Sequence, residues 1–337
     1  MPLRSTPFST STAENQHTQC GGAVFPFLRF FMSGSTTFQV TKEAELRGHR
    51  QAIYALSPSM SKGHLFSAGA DGVVAEWDLE TLEARQVLQA PCAIYCLQLQ
   101  KETGLLFMGL QNGEIAVADM RQNIMLKRLQ VHSSGVFDIQ FDPGGKNFWA
   151  SSKDGTVSVW DTGTLVCLQR IRISAHSIRT LSIHPSTGLV AMGCSDNHIY
   201  LFDNQASPLS AWTAHAPSVF RVLWEQGPKG ALYSTGRDAL IRSWDLSSQS
   251  GLPVSAVPAH LYAINDLIWM GEGPYLVSGS MDKSIKVWDR DLNLLKVVNF
   301  EKNGCHWNGV NRLLWLGNRL FSCGDDRIIM QWKFEIG

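Results

Sequence analysis

At a regular interval along the chain an Asp in a turn is followed six residues later by an aromatic residue: Asp71 to Trp77, Asp154 to Trp160, Asp196 to Phe202, Asp238 to Trp244, Asp282 to Trp288 and Asp326 to Trp332. Asn112 to Ala118 is a degenerate seventh instance. The endpoints recur every 41 to 44 residues, from Trp77 through Ala118, Trp160, Phe202, Trp244 and Trp288 to Trp332. A fixed period of this length marks a repeat architecture, in which one small unit is stacked many times because no unit can bury its apolar faces alone. Short β-type runs bounded by Gly, Asp, Asn and Pro fill each repeat, and long helical periodicity is absent. The period therefore predicts an all-β chain of seven similar units.

A His precedes every turn but the degenerate one: His49, His132, His176, His215, His260 and His306. In five repeats the seventh residue after it is aliphatic (Leu56, Ile139, Val222, Leu267, Leu313), and a shorter loop puts Leu181 in that place in the fourth. Four repeats end in Trp-Asp, at Trp77-Asp78, Trp160-Asp161, Trp244-Asp245 and Trp288-Asp289. On these residues the chain resembles the WD-repeat β-propeller family over roughly residues 37–335. The resemblance implies a seven-bladed β-propeller of four-stranded antiparallel blades. It also implies closure by an N-terminal strand, 38–42, joining a C-terminal blade made of 310–316, 319–322 and 328–334.

It further implies that His, a strand Ser, the turn Asp and the Trp form a structural hydrogen-bond relay in each blade. Four sets are complete: His49/Ser67/Asp71/Trp77, His215/Ser234/Asp238/Trp244, His260/Ser278/Asp282/Trp288 and His306/Ser322/Asp326/Trp332. A Ser, His and Asp together suggest a hydrolase, but one such set per blade describes a packing device. Blade 3 departs with Ala150 in the Ser position, and blade 4 with Met192 and Phe202. Blade 2 lacks every member, with Met108, Asn112 and Ala118, and is expected to be the least rigid.

Composition narrows the function classes. The 29 basic and 29 acidic side chains cancel, so no basic footprint for nucleic acid is present, and 44% hydrophobic residues exclude a disordered chain. No apolar run reaches the roughly 18 residues that cross a bilayer. The seven cysteines are odd in number and scattered, which suits reduced thiols in a cytoplasmic protein. Cys92 and Cys96 lack a second pair to complete a zinc set, so neither a metal nor a cofactor is expected. The Asp142–Lys146 stretch looks like a phosphate loop, but Phe148-Trp149-Ala150 continues as strand where a helix would be required. The polar stretch 246–258 reads as a linker between blades 5 and 6.

Residues 1–36 do not match the repeat and read as an unstructured or non-native leader, with a targeting segment as the alternative and Met32 as another possible start. Residues 37–337 are expected to form the propeller.

Propellers of this family commonly recruit protein segments at the top rim. The matching positions lie either side of the first apolar residue of each inner strand and just before the turn Asp. The first is always small: Ala52, Ala93, Gly135, Ser177, Ser218, Ala263 and Gly309. This leaves either a central depression or mere crowding. The second is Tyr54, Tyr95, Phe137, Arg179, Phe220, Asn265 and Asn311, and the third is Ala70, Gln111, Lys153, Ser195, Arg237, Met281 and Asp325. Aromatic residues and arginines at exposed positions match binding hot spots, although the rings would also serve by packing over the channel mouth. Lys153, Arg179 and Arg237 outnumber Asp325, which favours acidic or phosphorylated protein segments. The expectation is a non-catalytic interaction scaffold, a monomer or part of a larger complex, with no nucleic-acid or membrane partner. The alternative is a propeller enzyme with a site at the central channel, for which His184 and His198 stand alone.

Of the eleven tryptophans, five fill the turn-plus-six position. Trp224, Trp269 and Trp315, each nine residues after a repeat His, are expected to fill space between blades. Trp149, Trp212 and Trp307 have no such address, and Trp307 lies beside a rim loop.

Overall fold

Most strands are four to seven residues long, and many of them stop at a turn that carries Gly, Asp or Asn. The turn Asp explains the sharpness of one of these reversals. Its carboxylate accepts the backbone N–H two residues on, as from Val73 to Asp71 (3.1 Å) and from Thr156 to Asp154 (2.9 Å). The structure is a computed structural model that describes residues 37–225, 230–246 and 251–337, so the 1–36 leader lies outside the described residues. Seven antiparallel sheets of four strands each succeed one another along the chain. Each innermost strand abuts the next, and Val310–Leu316 returns to Ile53–Pro58, so the sheets close into a ring. Blades 1 to 6 span 53–89, 94–130, 136–172, 178–213, 219–258 and 264–298. A single-turn helix, Phe300–Asn303, capped by Asn299 and by left-handed Gly304, leads into blade 7. No helix among the described residues is long and apolar enough to cross a membrane.

Blade 7 is built from both parts of the chain, as expected. Its order is Phe38–Arg47, Ile328–Ile336, Arg319–Gly324, Val310–Leu316. The closing strand runs five residues further than the 38–42 expected, pairing from Phe38↔Ile336 to Arg47↔Ile328 across a bulge at Glu43. Phe38 packs edge-on against Tyr275 of blade 6 (5.0 Å between ring centres), and Leu46 is buried in the blade 1 interface with Ile53 and Trp77. One strand therefore binds three blades together.

The 246–258 stretch is a correction. Ser255–Pro258 is the outer strand of blade 5, paired with Leu240–Ser243, where a linker was expected. Pro258 is tolerated because an outermost strand needs hydrogen bonds on one side only.

The three tryptophans nine residues after a repeat His do join blades. Trp224 Nε1 donates to the Ser182 carbonyl (3.1 Å), and Trp269 Nε1 to the Trp224 carbonyl (2.9 Å). Trp315 lies against Gly271 of blade 6 and Phe334. Trp149 is buried between blades 3 and 4, Trp212 lies against Trp244, and Trp307 is exposed.

All four complete relays form. In blade 1, Trp77 Nε1 donates to Ser67 Oγ (2.7 Å), Ser67 meets His49 Nε2 (2.7 Å), and His49 Nδ1 meets Asp71 (2.9 Å). Blade 3 has one as well, which corrects the expectation from Ala150. Ser158, directly opposite Ala150 on the next strand, takes over: Trp160 Nε1 donates to its Oγ (2.7 Å), and His132 Nε2 lies 2.8 Å away. His132 Nδ1 then reaches Asp154 through the Thr156 hydroxyl (2.9 and 2.6 Å). Burial drives His132 down to about 4 despite the Asp154 charge, so the ring is neutral at pH 7. Blade 4 has no His relay. His176 is exposed, and Asp196 instead accepts from Ser174 (2.6 Å) and Tyr200 (2.8 Å). In blade 2 the equivalent residues, Met108 and Ala118, sit fully buried in an apolar cluster.

Candidate functional site

In each inner strand the ladder skips one residue, and the skipped residue is the second rim position. Tyr54, Tyr95, Phe137, Arg179, Phe220, Asn265 and Asn311 all stand between paired neighbours. A bulged residue leaves the ladder and re-aims its side chain. Here the seven converge on one hollow of about 180 Å³ at the channel mouth.

Five of them form a continuous arc. The ring centres of Tyr54 and Tyr95 are 5.7 Å apart, and those of Tyr95 and Phe137 5.3 Å. The Arg179 guanidinium lies 5.6 Å from the centre of Phe137 and 4.6 Å from that of Phe220. Arg179 Nε donates to Ser195 Oγ (2.7 Å), so the side chain is held from three directions. Burial, with Arg237 nearby, lowers its pKa from the ordinary value, but a guanidinium does not lose its proton in a protein. It remains a half-buried cation, stacked between rings and without a carboxylate partner among the described residues.

The two asparagines are committed differently. Asn265 Nδ2 donates to the Val310 carbonyl (2.9 Å), and Asn311 Nδ2 to the Ile53 carbonyl (3.1 Å) and to Asp325 (2.7 Å). Both amides therefore stitch one blade to the next. At the third position, Gln111, Lys153, Arg237, Met281 and Asp325 are exposed, while Ala70 and Ser195 are half-buried. The small first position follows from crowding. A Cβ on Gly135 would meet the Tyr95 ring at 2.8 Å, and the Ser177 hydroxyl donates to the Lys153 carbonyl of the preceding blade (3.2 Å).

Beneath the rim lies a cluster that the rim positions did not disclose. Asp138, Arg221, Asp266 and Arg312 occupy the residue after the bulge in blades 3, 5, 6 and 7. Arg221 lies 3.3 Å from Asp138 and 3.1 Å from Asp266, and Arg312 is 3.7 Å from Asp266. The carboxylates also accept the backbone N–H groups of Leu181 (2.9 Å) and Leu313 (2.8 Å). Three of the four line both the rim hollow and a lower cavity of about 600 Å³, so the quartet sits between the two.

His184 and His198 are satisfied locally. His184 Nδ1 accepts the N–H of Ser186 (3.2 Å), and His198 Nδ1 lies 2.9 Å from the Asp196 carbonyl. Among the described residues no three His, Cys, Asp or Glu side chains group as metal ligands, and the six described cysteines are free. A larger hollow, about 670 Å³, lies on the opposite face between blades 1 and 7. Its Arg319 is tied to Glu43, and it lacks the convergence of bulged side chains that defines the rim.

A sequence model described as "WD domain, G-beta repeat" matches residues 40–78, 124–161, 166–203 and 251–289. Each match runs from the outer strand of one blade to the end of the third strand of the next, apart from 166–203 and 251–289, which begin just ahead of the outer strand. The chain is 24% identical to the WD repeat-containing protein 91 homolog of Dictyostelium discoideum, over 66% of this chain and 30% of that protein. It is 26% identical to the ribosome biogenesis protein ytm1 of Emericella nidulans, over 76% of this chain and 53% of that one. It is 24% identical to protein groucho of Drosophila melanogaster, over 67% and 30%. The chain thus spans about half or less of the length of these curated relatives.

Proposed function

Since this chain is a WD-repeat β-propeller, we propose that it works as a non-catalytic scaffold that binds protein segments on its top rim. The observation that carries this reading is the arc Tyr54–Tyr95–Phe137–Arg179–Phe220, which leaves a desolvated cation and four rings half-exposed at a channel mouth. With Lys153 and Arg237 exposed beside it, the arc suits a segment carrying carboxylate or phosphate, since guanidinium groups pair well with both. Asn265, Met281, Asn311 and Asp325 complete the circumference, the asparagines chiefly by holding its shape. The names of its relatives, a ribosome biogenesis protein and protein groucho among them, share no one chemistry, which suits this reading. The free thiols fit a reducing compartment, the cytoplasm in the simplest case.

The channel quartet is the material an enzyme reading would use. Its carboxylates are already neutralised by arginines and held by backbone donors, so we assign it to the architecture. The rim reading is tested by replacing Phe137, Arg179 and Phe220 together with Ala and comparing proteins captured from the native lysate. Partners lost by the variant support it. An unchanged set, with the fold intact by circular dichroism, refutes it.

A further inference from the structure

The repeat allows each top-face position to be compared across blades, and blades 6 and 7 depart from the others. Directly after the repeat His stand Arg50, Ser133 and Ala216 in blades 1, 3 and 5, but Leu261 and Trp307 in blades 6 and 7. Leu261 is 83% exposed, Tyr262 65%, Met281 51% and Trp307 52%. These residues stand on neighbouring top-face loops. The Leu261 N–H donates to Asp282 (3.0 Å) and the Tyr262 carbonyl accepts from Ser280 (3.0 Å), which holds both against the turn that bears Met281. Met281 in turn lies against Gly309, in the loop that begins at Trp307. Neither Tyr262 nor Trp307 uses its polar atom on any described residue, so the fold does not account for two large rings in water.

The exposed charges around this crest are mostly basic. Arg237, Lys283 and Arg327 are exposed and pair with no carboxylate among the described residues. Lys283 and Arg327 occupy left-handed turn positions (φ 71° and 67°) where blades 1 to 3 have Gly72, Gly113 and Gly155. The neighbouring Asp282 and Asp326 are taken up by His260 and His306, which leaves Asp325.

We propose that Leu261, Tyr262, Met281 and Trp307 form an anchor site for a bulky apolar side chain of the same acidic protein segment that the rim cations hold, an inference that rests on the rim reading. Apolar anchors beside charge pairs give a segment both affinity and register. A flat bilayer would meet the crest but not Arg179 in its hollow, which is why a chain segment is the better occupant.

The test uses the full chain and short fluorescent Gly/Ser peptides carrying two Asp residues, one Phe, or both at varied spacing. The peptides with both should bind at least about ten-fold tighter than the acid-only peptide at one spacing. Leu261→Ser with Trp307→Ser should remove that gain and leave acid-only binding unchanged. Equal binding of all acidic peptides overturns the anchor site but not the rim reading. Phe-only binding as tight as the combined peptide overturns the pairing of the two features. No acidic peptide binding overturns both readings. Sedimentation with phosphatidylserine vesicles that is lost in the double variant overturns the choice of a protein segment.

Discussion

The blade 3 relay can be moved from one strand to its neighbour. Ser158 Oγ is fully buried, accepts from Trp160 and meets His132, and stands opposite Ala150. Blade 1 has the mirror arrangement, with Ser67 opposite Ala75. Ser158→Ala removes two hydrogen bonds, each worth about 0.5–1.5 kcal/mol net, and leaves a buried indole N–H and an imidazole nitrogen unpaired at about 1–3 kcal/mol each. Because the terms overlap, we expect a loss of about 2–4 kcal/mol, or roughly 4–8 °C in Tm at about 2 °C per kcal/mol for a chain of this size. Ala150→Ser in the same chain should return the hydroxyl to the position that Ser67 holds in blade 1, and restore stability to within about 1 kcal/mol. Urea unfolding followed by tryptophan fluorescence reads both variants. A single variant that costs less than about 1 kcal/mol, or a double variant no better than the single, would refute the relay as a stabilising device.

Acid should weaken the ring in a defined window. His132 sits near 4 when folded and near 6.5 when unfolded, so below pH 6.5 the unfolded chain binds the extra proton. Its contribution is complete at pH 7 and about 3 kcal/mol is lost as pH falls to 4; burial also lowers His215 and His260, which add in the same direction. Equal urea midpoints at pH 7 and pH 4.5 would contradict this. Deleting 37–44 uncovers the edge of Ile328–Ile336 and removes buried Phe38, so stability should fall by at least about 3 kcal/mol and aggregates should appear in size-exclusion chromatography. A monodisperse sample with unchanged Tm speaks against the clasp. Amides of blade 2, which has no relay, should exchange with deuterium about ten-fold faster than those of blade 1; equal protection would show that apolar packing alone suffices.

The spacing of Asp and Trp made the seven blades legible, because a repeat that buries its faces only against copies of itself must be periodic. The resemblance supplied the closing strand, and the register at Phe38↔Ile336 bears it out. The hydroxyl of blade 3 was not legible by position, since a cross-strand neighbour can offer the same oxygen from the opposite strand. The channel charges were hidden for a related reason. Strict alternation sends consecutive residues to opposite faces, but a bulge lets both Phe137 and Asp138 line the mouth. Ser255–Pro258 was missed because a Pro and polar neighbours read as a connection, although an outermost strand accepts both.

The register of the closing strand also fixes how the disc can be held. Arg47 pairs with Ile328, just after the top turn Asp326, so Phe38 and Ile336 leave together at the underside. A tether at either strand end would therefore mount the disc from below, with the rim facing outward. Tension between the two ends would load the clasp one rung at a time, as a zipper, rather than all rungs at once. The ring should then open at low force from blade 7, while the same force applied across blades 2 and 5 leaves it shut.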